Sequence, residues 1–259
     1  FTEPGAGSDP AGMTTTAVLD GDQWVLNGSK LFISSGTFAG VFVVWAVTDP
    51  QAPKGKGISL FLVEPGTEGF EIGKSERKMG QHASPTNELL FQNCRIPKDA
   101  LMGSLNDGFR VAVSELAGGR IGIGSLGLGL GLAAMDCATA YSLERSQFGR
   151  KISDFQGIQW KIADRYTELE AARLLLLNAA YKKEQGRSFA KEASMAKVFA
   201  TEAANRACYD AVQILGGYGY TSDFPVERYA RDARITTIYE GTSEIQRLII
   251  SREILRAFS

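Results

Sequence analysis

The sequence holds few of the residues that build metal or redox centres. Among 259 residues there are three cysteines and one histidine. Cys94, Cys137 and Cys208 are far apart, odd in number and form no C-x-x-C pair. Neither a disulfide framework nor a zinc site is expected from that pattern, and a reducing, cytosol-like compartment fits it better. His82 stands alone, so a His-rich metal site is excluded and any His-based triad must use it. A charge bias is lacking too. Lys plus Arg is 28, Asp plus Glu is 29 and the net charge is −1, whereas a nucleic-acid binder normally carries a basic excess. No apolar run is read as approaching the roughly 20 residues that span a bilayer. No charged-then-apolar leader is present to signal secretion. What is present is globular in proportion, 44% hydrophobic and 22% charged. The length suits one large domain or two ordinary ones.

Proline is scarce after Pro97, where only Pro225 remains, and that scarcity marks a change of architecture. Before it, short β-prone runs alternate with turns. Thr14–Leu19 and Gln23–Leu26 flank the turn-rich Asp20-Gly21-Asp22. Asn27-Gly28 reads as a hairpin turn leading to Lys30–Ser34. Val41–Val47, Ile58–Val63 and Glu88–Cys94 complete the series, which suggests an antiparallel β-barrel or sandwich. After about residue 102 the period becomes helical. Asp107 is placed to cap a helix over Gly108–Leu116, and a second pattern runs from Arg120 to Glu144. A third runs from Asp154 to Gln185, closed by Gly186. Ser188 is placed to cap a fourth, to Ile214. A short helix follows Pro225 and a last one covers Thr242–Leu255. Long helices with short links predict an antiparallel four-helix bundle. The expected class is α+β and multidomain, with a β-domain over 1–102 and a helical domain over 103–259. The chain opens on a turn-rich loop, Phe1–Asp9, with no element before it, so an N-terminal region is expected upstream.

Four local patterns bear on chemistry. Gly122-Ile123-Gly124-Ser125-Leu126-Gly127 matches G-x-G-x-x-G, but helices rather than a strand surround it, which removes the dinucleotide reading. Glycines continue at Gly129 and Gly131, each costing about 1 kcal/mol against alanine in a helix. Either close helix–helix contact or a face cleared for a ligand offsets that cost. Gln213 to Gly219 ends a helix in a glycine turn, which is a plain cap or a cradle for an anion. Arg145 sits at a helix end, where it complements the dipole or clamps a phosphate. Glu240 stands just before a helix start with Thr242 as the cap, so it either answers the helix dipole or acts in catalysis.

Taken in order, these pieces resemble the acyl-CoA dehydrogenase family from Phe1 to about Leu255. The matching stretches are Thr2–Asp9, Leu26–Lys30 leading to Phe32–Gly36, Gly118-Gly119-Arg120, Arg145–Gly149, Gln213–Gly219 and Ile238–Thr242. The resemblance implies the middle β-domain and the C-terminal helical domain, without the N-terminal one. It implies FAD as cofactor and the oxidation of an acyl-CoA to the trans-2-enoyl-CoA. A short or branched-short chain is the expected substrate class. Glu240 would be the base that takes the α-proton, and its backbone amide would polarise the thioester carbonyl. Some members carry the base beside the arginine of the long helix; here that place is Gly119, which cannot serve. Whether burial raises the Glu240 pKa or the helix start lowers it stays open at this stage.

For FAD the resemblance assigns Thr2, Gly7 and Ser8 to a loop facing the flavin, and Phe32, Ile33 and Ser34 to its ring. It assigns Thr242 and Glu244 to the adenosine side. Arg145, Gln147, Phe148, Gln156, Gln213, Gly216 and Gly217 would reach the FAD of a neighbouring subunit. Ser8, Arg120 and Gly241 would contact the acyl-CoA. Many relatives carry an acid where Ala117 stands. The implied partners are an electron-transfer flavoprotein and further copies of the chain, as dimer or tetramer, with no nucleic acid, membrane or metal. The implied location is the cytoplasm, or the mitochondrial matrix in a eukaryote. Two competing expectations are a non-catalytic fragment that cannot hold FAD, and an acyl-CoA oxidase.

Overall fold

Strands β1 (Thr16–Asp20) and β2 (Gln23–Ser34) form a hairpin in a computed structural model that describes residues 1–258. Five more strands follow: β3 (Phe42–Val47), β4 (Ile58–Val63), β5 (Phe70–Ser75), β6 (Thr86–Pro97) and β7 (Leu101–Met102). They make one seven-stranded sheet in the order β5-β6-β2-β1-β3-β4-β7. All pairings are antiparallel except a parallel contact, Thr16 with Val47. The sheet folds over on itself. Phe42 of β3 meets Phe70 of β5 edge-on at 5.0 Å, and Phe70 stacks on Phe91 of β6 at 5.0 Å. Alternating residues such as Phe42, Val44 and Ala46 point into that core with Leu26, Phe61, Leu89 and Phe91.

The structure corrects the reading of Asn27-Gly28. No hairpin forms there, and β2 runs through as twelve residues paired to β6. Between Leu26 and Gly28, β6 carries one extra residue. Asn93 there takes a φ of 51°, and its N–H donates to Asn27 Oδ1 at 2.7 Å. Gly28 is required by close approach instead: a Cβ would lie 2.6 Å from Thr15 Oγ1. A second irregularity, between Lys30 and Ile33, puts the extra residue on β2. Bulges of this kind re-aim side chains, and Phe32, with φ 59°, is turned outward and 61% exposed. The sequence signal missed β5 and β7.

The helical part contains α1 (Gly108–Glu144), the two-residue strands β8 (Ser146–Gln147) and β9 (Arg150–Lys151), α2 (Gln156–Glu184) and α3 (Ala190–Leu215). It continues with α4 (Gly217–Tyr220), α5 (Val226–Arg234) and α6 (Ser243–Arg256). The expected break near Gly118 is absent, because α1 is a single helix of 37 residues. The Asp107 carboxylate is taken up by Arg110, at 2.6 Å from Nη2. Ser188 does not cap α3; Phe189 is the N-cap and uses no side chain. Gly186 does close α2, with φ 64° and the Arg187 N–H bonded to Lys182 O at 3.0 Å. Thr242 caps α6 by accepting from Ile245 N at 3.3 Å.

By length and composition α1 is long and apolar enough to cross a membrane, contrary to the sequence reading. The apolar residues are spread among glycines there, which hides the run. Its glycines nevertheless serve packing: a Cβ at Gly124 would meet Leu176 Cδ2 at 2.7 Å, and one at Gly131 would meet Leu169 Cδ2 at 2.7 Å. Contacts that rise along α1 as they fall along α2 make these two helices antiparallel neighbours. Gly127 and Gly131 also approach Thr201 and Ala204 of α3.

The chain divides into two compact units. One holds Phe1–Lys78 with His82–Ser114, the other Met79–Gln81 with residues 115 onward.

Candidate functional site

In the helical unit, Glu240 and Gly241 link the one-turn 3-10 extension Ile235–Thr237 to α6. Both residues sit in the left-handed region, with φ 54° and 87°. That conformation costs a residue with a Cβ roughly 1–2 kcal/mol, so something must hold it. Two fully buried side chains do. Lys197 of α3 donates from Nζ to Gly241 O at 2.7 Å. Gln246 of α6 donates from Nε2 to Glu240 O at 3.1 Å and to Gly241 O at 2.8 Å.

The Glu240 side chain reaches back to α1 and lies over Gly119. A Cβ at that position would sit 2.9 Å from Oε2 and 3.3 Å from Cδ. A side chain at 119 and a carboxylate at 240 therefore compete for one space. The glycine that the sequence could describe only as lacking a base is what makes room for the Glu240 carboxylate.

Burial pushes the Glu240 carboxyl above the ordinary carboxylate range, against the pull of Arg120 and Lys197. The question left open by the sequence is thus decided by desolvation. Arg120 is buried on α1, and its Nε has no hydrogen-bond partner among the described residues. Burial lowers its guanidinium pKa while Glu240 opposes the shift. Burial brings the Lys197 ammonium down to about 8, again against Glu240. The arrangement is a half-buried carboxylate poised to accept a proton, with two buried cations to stabilise its charged form. Lys197 and Gln246 were not singled out from the sequence. The signal available was a lysine at an apolar helical position inside the alanine-rich run of α3.

The residues just before Glu240 are fastened as well. Gln81 donates its backbone N–H to the Asp232 carboxylate and its Nε2 to Tyr239 Oη at 3.4 Å. Gly80 packs so closely on α5 that a Cβ would lie 2.5 Å from the Arg231 carbonyl carbon.

Two clefts in the same unit collect other candidates. The first, about 530 Å³, is lined by Thr242, Ser243 and Glu244 at the start of α6, with Arg206 and Arg234 nearby. Ser243 Oγ is buried there without a partner among the described residues. The second, about 630 Å³, gathers Arg145, Gln147, Gly216 and Gly217 with Tyr141 and Tyr218. Gly216 takes φ 62° as the C-cap of α3. Gln213 and Gln156 are exposed and lie outside that lining. Phe148, at the β8–β9 turn, is 93% exposed, with its ring 6.2 Å from that of Phe155.

In the β unit the opening loop lies beside β2, because Leu31 N donates to Thr2 O at 2.9 Å. Thr2 is thereby next to the Phe32–Ser34 stretch. The loop is anchored by Glu3, which is buried and accepts from Lys30 Nζ at 2.7 Å, Thr14 N at 2.6 Å and Thr15 N at 3.0 Å. Burial opposes the Glu3 charge, but these hydrogen bonds outweigh it and hold the pKa down to about 2. Gly7 and Ser8 are exposed farther along the loop. Ile33 packs partly on the sheet core, and Ser34 is exposed.

The family description "Acyl-CoA dehydrogenase, middle domain" matches residues 1–94, and "Acyl-CoA dehydrogenase, C-terminal domain" matches residues 106–255. An acryloyl-CoA reductase (NADH) from Anaerotignum propionicum is 50% identical over 99% of the chain and 65% of its own length. The mitochondrial short-chain specific acyl-CoA dehydrogenase of Mus musculus is 49% identical over 100% of the chain and 62% of its own length. The chain thus spans less than two thirds of these relatives. The structure of butyryl-CoA dehydrogenase from Megasphaera elsdenii superposes with a TM-score of 0.96 at 45% identity, covering 98% of this chain and 67% of that one. With both family domains matched in order and relatives at half identity, the chain belongs to the acyl-CoA dehydrogenase family.

Proposed function

We propose that the chain carries the two domains of an FAD-dependent dehydrogenase that converts a short or branched-short acyl-CoA to the trans-2-enoyl-CoA. Residues 1–102 would be its middle β-domain and 103–259 its helical domain. One observation carries the reading: the Glu240 carboxylate, raised in pKa by burial, lies over a helix position that glycine leaves empty. A base needs a pKa brought toward the working pH and a clear path to its proton, and these residues supply both. The family's FAD fits the residues present. The outward-turned Phe32 offers a ring surface. The start of α6, with an unpartnered buried Ser243 hydroxyl and Arg206 and Arg234 beside it, suits phosphate groups.

Thr2, Gly7, Ser8, Phe32, Ile33 and Ser34 would hold the flavin side, and Thr242 and Glu244 the adenosine side. Arg145, Gln147, Phe148, Gln156, Gln213, Gly216 and Gly217 would serve the FAD of a neighbouring copy in a dimer or tetramer. FAD, when bound, supplies the acceptor for the β-hydride. Glu240 would take the α-proton as the β-hydride is lost to that acceptor, and the electron pair of the α C–H bond would become the new double bond. The Glu240 N–H would donate to the thioester oxygen as negative charge gathers on it. Ser8, Arg120 and Gly241 would fix the acyl-CoA. An electron-transfer flavoprotein would remove the electrons.

A second reading concerns direction. An acryloyl-CoA reductase (NADH) is as similar to the chain as the dehydrogenases are; in reverse the same site would return a proton from Glu240 to the α-carbon and a hydride, drawn from NADH by way of bound FAD, to the β-carbon.

The test is the visible spectrum of the FAD-loaded protein with anaerobic butyryl-CoA. The flavin band should bleach in the parent and persist in Glu240→Gln. Bleaching of the variant at the parent's rate would remove Glu240 from the role. NADH-dependent loss of acryloyl-CoA would favour the reverse direction.

A further inference from the structure

Lys197 is an expensive residue to place where it is. It lies on α3 with no exposure to solvent, and a buried ammonium costs several kcal/mol unless it is paired and hydrogen-bonded. Its neighbours on the same helix face, Ala193, Ser194, Ala200, Thr201 and Ala204, are small and uncharged, and an apolar side chain would pack there without that cost. The Nζ donates to Gly241 O, and the charges acting on it come from Glu240, Arg120, Glu244 and Glu202. Gln246 is equally buried, and its Nε2 donates to two successive carbonyls, Glu240 O and Gly241 O. Gly241 must be glycine for this to happen, since a Cβ would lie 2.6 Å from that Nε2.

We infer that Lys197 and Gln246 are positioning residues for the proposed base. Together they clamp the Glu240-Gly241 carbonyls and so hold Glu240 in its left-handed conformation, with the carboxylate over Gly119. The inference rests on the reading of Glu240 as base. The clamp acts on backbone oxygens, not on the carboxylate itself. Its loss leaves the base chemically intact and free to swing away from its place. Without the two donors, φ at Glu240 has little reason to stay at 54°, because ordinary residues prefer negative φ.

The experiment uses Lys197→Met and Gln246→Met in the full chain. Gln246→Met keeps the cation in place and guards against a Lys197 variant that fails to fold. Hydrogen exchange, read on peptides covering residues 238–244, needs neither cofactor nor substrate. Exchange there should rise about tenfold while peptides from the middle of α2 stay unchanged, as expected for a local opening. In the FAD-loaded protein kcat should fall roughly tenfold or more with KM held within about twofold, the mark of a displaced base. Unchanged exchange in 238–244 overturns the clamp. Raised exchange with an unchanged kcat overturns its role in positioning. If Glu240→Gln keeps normal turnover, the base reading falls, and this inference with it. If Glu240→Gln is dead and both Met variants turn over normally, only the clamp is lost.

Discussion

Replacing Gly119 by alanine sets helix stability against the placement of Glu240, the proposed base. The position is helical, and alanine is favoured over glycine there by about 1 kcal/mol. On propensity alone the variant should melt roughly 2–4 °C higher. The new methyl carbon would lie 2.9 Å from Glu240 Oε2, where ordinary contact begins near 3.4 Å. The obstacle is the far end of a flexible side chain, so the carboxylate gives way and the helix stays. It must retreat by about half an ångström. Displacements of about 1 Å at a reacting group cost on the order of 100-fold, so roughly a tenfold fall in kcat is expected. The assay pairs thermal unfolding with steady-state kinetics on butyryl-CoA. An equal or higher melting point together with a roughly tenfold slower enzyme is the expected result. A faster or unchanged enzyme would refute the reasoning, because Glu240 could not then lie over Gly119 during turnover.

The remaining predictions follow from packing and charge. Gly129 has nothing within 4 Å of a built Cβ, whereas one at Gly131 would meet Leu169 at 2.7 Å and Ala204 Cα at 3.1 Å. Gly129→Ala should therefore gain up to about 1 kcal/mol, and Gly131→Ala should lose about 1–3 kcal/mol to overpacking, both read from denaturant unfolding. The folded-state pKa of Glu3 is depressed to about 2, so its contribution to stability is present above the ordinary carboxylate pKa and fades as pH falls toward 2. Glu3→Ala should cost about 3–5 kcal/mol at neutral pH by leaving the buried Lys30 unpaired. It should also flatten the acid limb of the stability curve; a parent-like slope below pH 4.5 would contradict the assignment.

How much was legible in the sequence depended on the kind of signal. Continuous apolar runs such as Ile58–Val63 and caps such as Gly186 and Thr242 are local and are legible in the sequence. Asn27-Gly28 was misread because a bulge and a hairpin use the same residues. What separates them is the ladder partner: here Asn93 of β6 uses Asn27 as its acceptor. The α1 break was misread because Gly118-Gly119 looks like a stop. It is instead a stretch where α1 meets Lys183 and Glu240 from distant segments. Phe32 was placed by family likeness, but the bulge that turns it outward depends on register with β6. Lys197 and Gln246 escaped notice because their partners are backbone oxygens, which carry no sequence signature.

The glycines of α1 divide into two groups, and the division says why so long a helix tolerates them. Gly124, Gly127 and Gly131 face α2 and α3, where a Cβ would crowd Leu176 at Gly124 and Leu169 and Ala204 at Gly131, and would touch Thr201 at Gly127. Their propensity cost is offset by helices drawn close together, which is the packing alternative left open by the sequence. Gly119 differs: what lies over it is a titratable carboxylate from beyond α5. Alanine at Gly131 would press on the α3 backbone at Ala204 Cα, 3.1 Å away, whereas at Gly124 the Leu176 side chain would have to give and at Gly127 the methyl would make ordinary contact. Alanine at 119 would move only the carboxylate of Glu240. The helix is thus stabilised by one set of glycines and gives up stability at the other, so that a charged group can lie where a side chain would stand. Gly127 belongs with the packing set, since its Cβ direction points to Thr201 at 3.4 Å and Ala204 at 3.7 Å. Gly122, one turn beyond Gly119, has nothing within 4 Å, so a methyl there would regain helix propensity without moving the Glu240 carboxylate.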